Sequence, residues 1–252
     1  MWAYREVGVI LAERDIKVRY KQTFFGVAWA VIQPLLAMVV FSLVLGRIAG
    51  LGSDGVPYAA FVIVGLAVWS PFSTAVTGAA ESLVSAPELV TKVYFPRMLA
   101  PLGAVLAMMV DLAVALVIAQ VVALVAGVPL QPTVLLLPAC ALAVLLVALA
   151  LGLWLAALNV LYRDVRHAVA FFMQLLFFAS PIVYASTLME GDWDWVFSLN
   201  PVVGLVDLVR WAMLGTVAPG ELALVSFGST VALLLGGVAF FRRTERQFAD
   251  RI

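Results

Sequence analysis

Charged side chains are scarce in this chain. They make up 12% of its 252 residues, against about 25% in a soluble domain, and 65% of the residues are hydrophobic. With a mean hydropathy of +1.11, that shortfall excludes a water-solvated globule and points to a polytopic helical membrane protein. Cysteine and histidine are nearly absent. The single cysteine, Cys140, lies in an apolar run and cannot form an intramolecular disulfide. With His167 as the only histidine there is no ligand set for a transition metal, so no metal site is expected. A phosphate-binding loop is missing too. Its grip needs Gly-Lys before Ser or Thr, whereas Lys17, Lys21 and Lys92 follow Ile16, Tyr20 and Thr91. Nor is there a GxSxG elbow, an HExxH helix or a paired acidic cluster within an apolar run, so nothing marks an enzyme. No cleavable signal peptide is read, because the first apolar run is long and follows a charged segment.

What is present begins with RDIKVRYKQTFFGVAWAVIQP, residues 14–34, where a cationic half (Arg14, Lys17, Arg19, Lys21) runs into an apolar stretch lasting to Ile48. About 20 apolar residues cross a bilayer as a helix, and residues 27–45 hold no charge. Before the span, a helical wheel sorts the apolar residues into two stripes, Val9, Ala12, Ile16 and Tyr20 against Val7, Ile10, Leu11 and Val18. This pattern suits a helix lying in the interface between lipid and protein; a basic flank that merely orients the span is the simpler alternative.

Six apolar segments follow one another: 27–48, 57–80, 98–126, 133–158, 168–186 and 222–241. The termini and even-numbered connections hold 13 of the 15 basic residues, while the odd connections carry Asp54, Glu190, Asp192, Asp194, Asp207 and Glu221. By the positive-inside rule both termini are cytoplasmic. The expected fold is all-α and integral to the membrane, with six transmembrane helices, an N-terminal amphipathic interfacial helix, and a short outer re-entrant or interfacial helix between spans five and six. One domain is expected, with residues 1–24 as a cytoplasmic segment, 27–241 as the six-span core and 242–252 as a basic tail continuing span six.

Within this frame five stretches stand out. The first inner loop, ESLVSAPELVTKVYFPRMLAP, is amphipathic, and Pro96 and Pro101 limit its helix; it suits either a docking surface for a soluble protein or an ordinary interfacial turn. Asp111 falls near the middle of span three, where a carboxylate must be protonated, paired or turned to a polar cavity. The second inner loop, NVLYRDVRH, is a short basic turn. In span five, Phe171, Gln174, Phe177, Phe178, Pro181 and Tyr184 share an arc of about 140°. An amide among rings suits sugars that stack on aromatic faces, although helix packing explains the same stripe. Past span five, Asn200 and Pro201 form a helix start and Gly215 a stop. The enclosed helix, at about 1.5 Å per residue, is too short to span; Asp207 and Arg210 are spaced to pair on it, and Trp193, Trp195 and Trp211 suit an aromatic belt.

In order along nearly the whole chain, RDIKVRYKQTFFGVAWAVIQP, ELVTKVYFPRMLAP, LNVLYRDVRH, SPIVY, NPVVGLVDLVR and FRRTERQFADRI resemble the membrane subunits of ABC-2 polysaccharide exporters, the family of O-antigen, capsule and teichoic acid permeases. The resemblance implies a homodimer forming a channel across the inner membrane, paired with two copies of a separate ATPase subunit and exporting a lipid-linked glycan. ATP and Mg would sit on that partner, and this chain would bind no cofactor and no nucleic acid. It further implies that the N-terminal helix, with Arg14, Lys17, Arg19 and Tyr20, gates the cytoplasmic entrance. Glu88, Lys92, Tyr94, Phe95, Pro96 and Arg97 would form the ATPase-coupling loop, with Pro87 displacing the start of its helix. Phe25, Trp29 and Gln33 of span one would join Phe171, Gln174, Phe177, Phe178 and Tyr184 in lining the channel. An ABC-2 exporter of a small hydrophobic drug or lipid shares the topology but does not need a continuous aromatic lining. A secondary carrier would need mid-membrane coupling charges that, Asp111 aside, are missing.

The charge asymmetry generates a direct prediction. In intact cells a membrane-impermeant thiol reagent will label Gly191→Cys and spare Gln247→Cys; the opposite pattern overturns the topology.

Overall fold

The computed structural model describes residues 26–85, 95–162, 164–189, 191 and 194–248, and every regular element among them is helical. The elements are α1 (Gly26–Phe41), running on into a π-helical turn (Ser42–Ile48), α2 (Tyr58–Glu81), α3 (Leu99–Ala107), α4 (Met109–Val125), α5 (Leu137–Leu161), α6 (Val165–Phe178), α7 (Asp194–Ser198), α8 (Pro201–Leu214) and α9 (Leu222–Thr244). Short 3-10 turns occupy Pro132–Leu136, Ser186–Met189 and Glu245–Gln247. Five helices are long and apolar enough to cross a membrane: Val31–Ile48, Tyr58–Glu81, Leu99–Val125, Pro132–Leu161 and Leu222–Gln247.

The second span is the post around which the others stand. Of the 24 residues of α2, 16 are buried, on all sides of the helix, as expected of an element apolar all round that packs among neighbours. It touches α1, α3, α4, α5, α6 and α8. Against α5 the approach is close: a Cβ added at Gly152 would fall 2.7 Å from that of Ala79. Lipid offers apolar side chains nothing that protein does not, so small residues that let backbones meet are what hold such helices together. At one end of this contact the Asn159 amide donates to the carbonyl of Ala80 at 2.8 Å, a buried hydrogen bond tying α5 to the end of α2.

The last span is fastened to α5 by a ring in a notch. Trp154 lies over Gly236 and Gly237, its indole N–H donates to the carbonyl of Leu233 at 2.9 Å, and its ring stacks on Phe240 at 4.9 Å. After the Glu245–Gln247 turn, Phe248 lies fully buried, edge-on to Phe241, in a cluster with Leu83, Leu153, Ala156, Ala157 and Val160.

Two expectations change in detail. Span three is two helices that break at Met108, with neither proline nor glycine there to announce it. Asp111 lies in the first turn of α4, half-buried, near the middle of the Leu99–Val125 span, as expected. Span five is not one helix over 168–186. It ends at Phe178 after 14 residues, about 21 Å at 1.5 Å each, short of the roughly 30 Å of a bilayer's hydrocarbon core. Pro181 has no N–H to donate and disfavours helical backbone at Ser180, which accounts for the stop. The tail continues span six, as expected, as far as Gln247.

Gly236→Ala together with Gly237→Ala will push Trp154 out of its notch, since each added Cβ meets the indole at 3.0 Å. The double variant should melt at least several degrees lower in detergent, with Trp154 emission red-shifted. Unchanged melting would show that α5 and α9 are held by other contacts.

Candidate functional site

The amphipathic helix α6 sets out the first half of the site. Val169 and Met173 point into the core, while Phe171, Phe172, Gln174, Leu175 and Phe178 are exposed. Two rings and an amide of the predicted arc, Phe171, Phe178 and Gln174, thus share an open face. Phe177 and Tyr184 do not share its freedom. Phe177 is half-buried, edge-on to Trp69 at 5.4 Å and 6.1 Å from Phe41, and the Tyr184 hydroxyl donates to the carbonyl of Phe178 at 2.9 Å. Gln33 is exposed on α1, the helix that also carries Trp29. Phe25 lies outside the described residues, as do the gate residues Arg14, Lys17, Arg19 and Tyr20 and the loop residues Glu88, Lys92 and Tyr94.

Beyond Phe178 the backbone leaves the helix yet stays inside the protein. Ser180, Pro181, Ile182, Val183 and Ala185 are all buried. Main-chain groups without helical partners at such a depth are tolerated only where other protein groups satisfy them. Here α8 and α2 supply the partners. Arg210 of α8, 1% exposed, donates to the carbonyls of Ile182 at 2.7 Å and Tyr184 at 3.4 Å, with its guanidinium carbon 3.5 Å from the centre of the Phe61 ring. The Tyr58 hydroxyl donates to the carbonyl of Val183. The Asn200 amide donates to the carbonyl of Ala179 and to the Ser180 hydroxyl, while its oxygen accepts from the Val202 N–H as the cap of α8. That cap and the left-handed Gly215 at φ 68° bound a 14-residue helix wedged among α2, α5 and α9.

Electrostatics at this clamp are those of a cation held by dipoles. Asp207 and Arg210 were expected to pair, but the hydrogen bonds of the guanidinium go to main-chain oxygens. Gly65 is what lets them meet: a Cβ there would lie 2.2 Å from the carbonyl oxygen of Ile182 and 2.9 Å from Arg210 Nη2.

At the other end of the bundle, Phe95 is buried against Leu99, and Arg97 donates through Nη1 to the carbonyl of Glu245. Arg166 bridges Glu81 at 3.4 Å on the exposed surface, a contact worth about 0–1 kcal/mol. Arg97 therefore ties the connection after α2 to the chain after α9, and Arg166 ties the start of α6 to the end of α2. Sequence reasoning missed this convergence, and it missed Tyr58 and Gly65 at the clamp. The one trace of the clamp was Arg210 itself, one of two cations, with Arg47, in the acidic odd-numbered connections.

The described residues thus form a bundle of apolar helices, five of them long enough to cross a membrane, with a short buried helix clamping the end of α6. Residues 7–214 match the profile of the ABC-2 type transporter family, and the chain belongs to that family. It is 31% identical to the O-antigen export system permease protein RfbA of Myxococcus xanthus, across 100% of this chain and 97% of that protein. Two O-antigen export system permease proteins RfbA of Klebsiella pneumoniae are 25% and 24% identical, each over 96% of this chain and 93% of their own.

Removing the clamp will have a graded effect. Arg210→Met leaves two buried carbonyls unsatisfied, at about 1–3 kcal/mol each, and Arg210→Lys keeps the charge but loses the forked geometry. Melting in detergent should therefore fall in the order native, Lys, Met, and Gly65→Ala should fall with them. A Met variant as stable as the native chain would contradict the clamp.

Proposed function

We propose that this chain is the membrane-spanning permease subunit of an ATP-driven exporter of a lipid-linked, O-antigen-type polysaccharide. The observation that carries this reading is the end-to-end similarity to three proteins named as O-antigen export permeases. The chain makes six crossings, the fifth being α6 completed by the non-helical residues 179–185 and the turn that follows. With 13 of 15 basic residues on one side, both termini and the 81–97 connection lie in the cytoplasm, and α8 enters the membrane from outside as a re-entrant helix.

A polymer of sugars needs a path that is continuous and weakly adhesive. Aromatic faces provide this: each ring contributes modest stacking, and no deep polar well arrests the chain. The open face of α6, with Phe171, Gln174 and Phe178, is half of such a path, and a second copy of this chain supplies the other half. Gln33 and Trp29 of α1, with Phe25 before it, extend the lining toward the entrance, where Arg14, Lys17, Arg19 and Tyr20 engage the carrier head group. Phe177 and Tyr184 support the lining from behind.

Energy enters at residues 88–97 from two copies of a separate ATPase. The burial of Phe95 against Leu99 gives a push on this loop a direct route to α3, and the bond from Arg97 to Glu245 carries it to the tail. Lys92, Tyr94 and Glu88 present the surface, while Pro96 makes the link to α3 abrupt.

Cells depleted of this protein will accumulate lipid-linked glycan inside and lose it from the surface, and re-expression will restore export. Phe171→Ala with Phe178→Ala should restore insertion but slow export several-fold. Unchanged surface glycan on depletion would overturn the reading; normal export by the double variant would move the path elsewhere.

A further inference from the structure

Beside α8 lies a cavity of about 310 Å³, bordered by α7, α8, the 216–221 connection, the start of α9, Asp54 and the Ser186–Met189 turn. Its size is at the lower end of small-molecule pockets, roughly 300–1,000 Å³. Four carboxylates line it, those of Asp54, Asp194, Asp207 and Glu221. Of the hydroxyls in its wall, Thr187 donates to Asp54 Oδ1, Ser198 to the carbonyl of Asp194, and Ser226 to the carbonyl of Ser198. The wall is thus rich in acceptors. Arg210 lines the same cavity, 1% exposed, and its Nε–H is buried with no acceptor. The ring of Phe197 completes the lining.

These features select among ligands. A simple cation would satisfy the carboxylates, but it would be repelled by the guanidinium and leave Nε–H without an acceptor. An anion would meet Arg210 and be repelled by the carboxylates. A polyol meets both, because each hydroxyl donates to a carboxylate and accepts from an N–H, and a pyranose ring can lie on Phe197. We propose that this cavity is an outward-facing subsite that holds a sugar ring of the glycan as it leaves the membrane. The inference rests on the permease reading. Its use follows from the polymer's length: a subsite beyond the ring-lined path retains the emerged portion while the ATPase resets.

The test places a photo-crosslinking benzophenone amino acid at Val217, which lines the cavity and is 70% exposed, in the full transporter in exporting cells. The control position is Leu224 on α9, 72% exposed and not part of the lining. A glycan-bearing adduct is expected at 217 and not at 224, at least fivefold weaker when Asp194→Asn and Glu221→Gln are added at equal protein level. Absence of an adduct at 217 in cells that export normally, equal adducts at both positions, or an adduct indifferent to the two carboxamides would each overturn the subsite. The permease reading is judged separately by depletion: if surface glycan is unchanged on depletion both fall, and if it is lost while 217 gives no adduct only the subsite falls.

Discussion

A guanidinium buried at the broken end of α6 is the constraint on which that end of the bundle depends. Desolvating a cation costs several kcal/mol even after relaxation, so a buried arginine depends on the acceptors that offset this cost. Arg210 meets the carbonyls of Ile182 and Tyr184, and those carbonyls in turn need it because Pro181 has ended the helix that would have satisfied them. Each side of the contact makes the other tolerable. The glycine at 65 and the ring of Phe61 complete the nest, which is why α2, α6 and α8 cannot be positioned independently.

That dependence connects fold to transport. The ring-bearing face of α6 is oriented by its buried edge, Val169 and Met173, and by the clamp at its far end. A change in the position of α8 therefore bears on the end of α6. At the opposite end, Arg97, Arg166, Asn159 and Phe248 hold the tail and both connections against α2 and α5. The permease is built as a central post with a fastening at each end and a lightly held α1, exposing Leu36, Val39 and Val40, along its flank.

What was legible in the sequence was what is local. The helix from Pro201 to Leu214 could be bounded to the residue, because an Asn-Pro start and a glycine stop act through hydrogen bonds within a few positions. The spans were legible because lipid imposes a length and a composition. What escaped was what depends on distant partners. A helical wheel carried span five on to Ser186, since Ile182, Val183 and Tyr184 are as apolar as any span, and only Pro181 argued otherwise. The wheel also set Phe177 and Tyr184 on the open face with Phe171, although tertiary contacts with Trp69 and the end of α6 engage both. The break at Met108, three residues before Asp111, has no sequence mark. Arg210 was visible as an oddity, but its partners lie 26 and 28 residues away.

The central claim is that this chain moves a lipid-linked glycan and draws its energy from a separate subunit. It is tested most directly in inside-out vesicles that carry the glycan on their outer leaflet, by following its protection from added glycosidase. Protection that requires this chain, the ATPase subunit and hydrolysable ATP together is the predicted result. Protection that proceeds without this chain, or with this chain alone and no ATP, would contradict it.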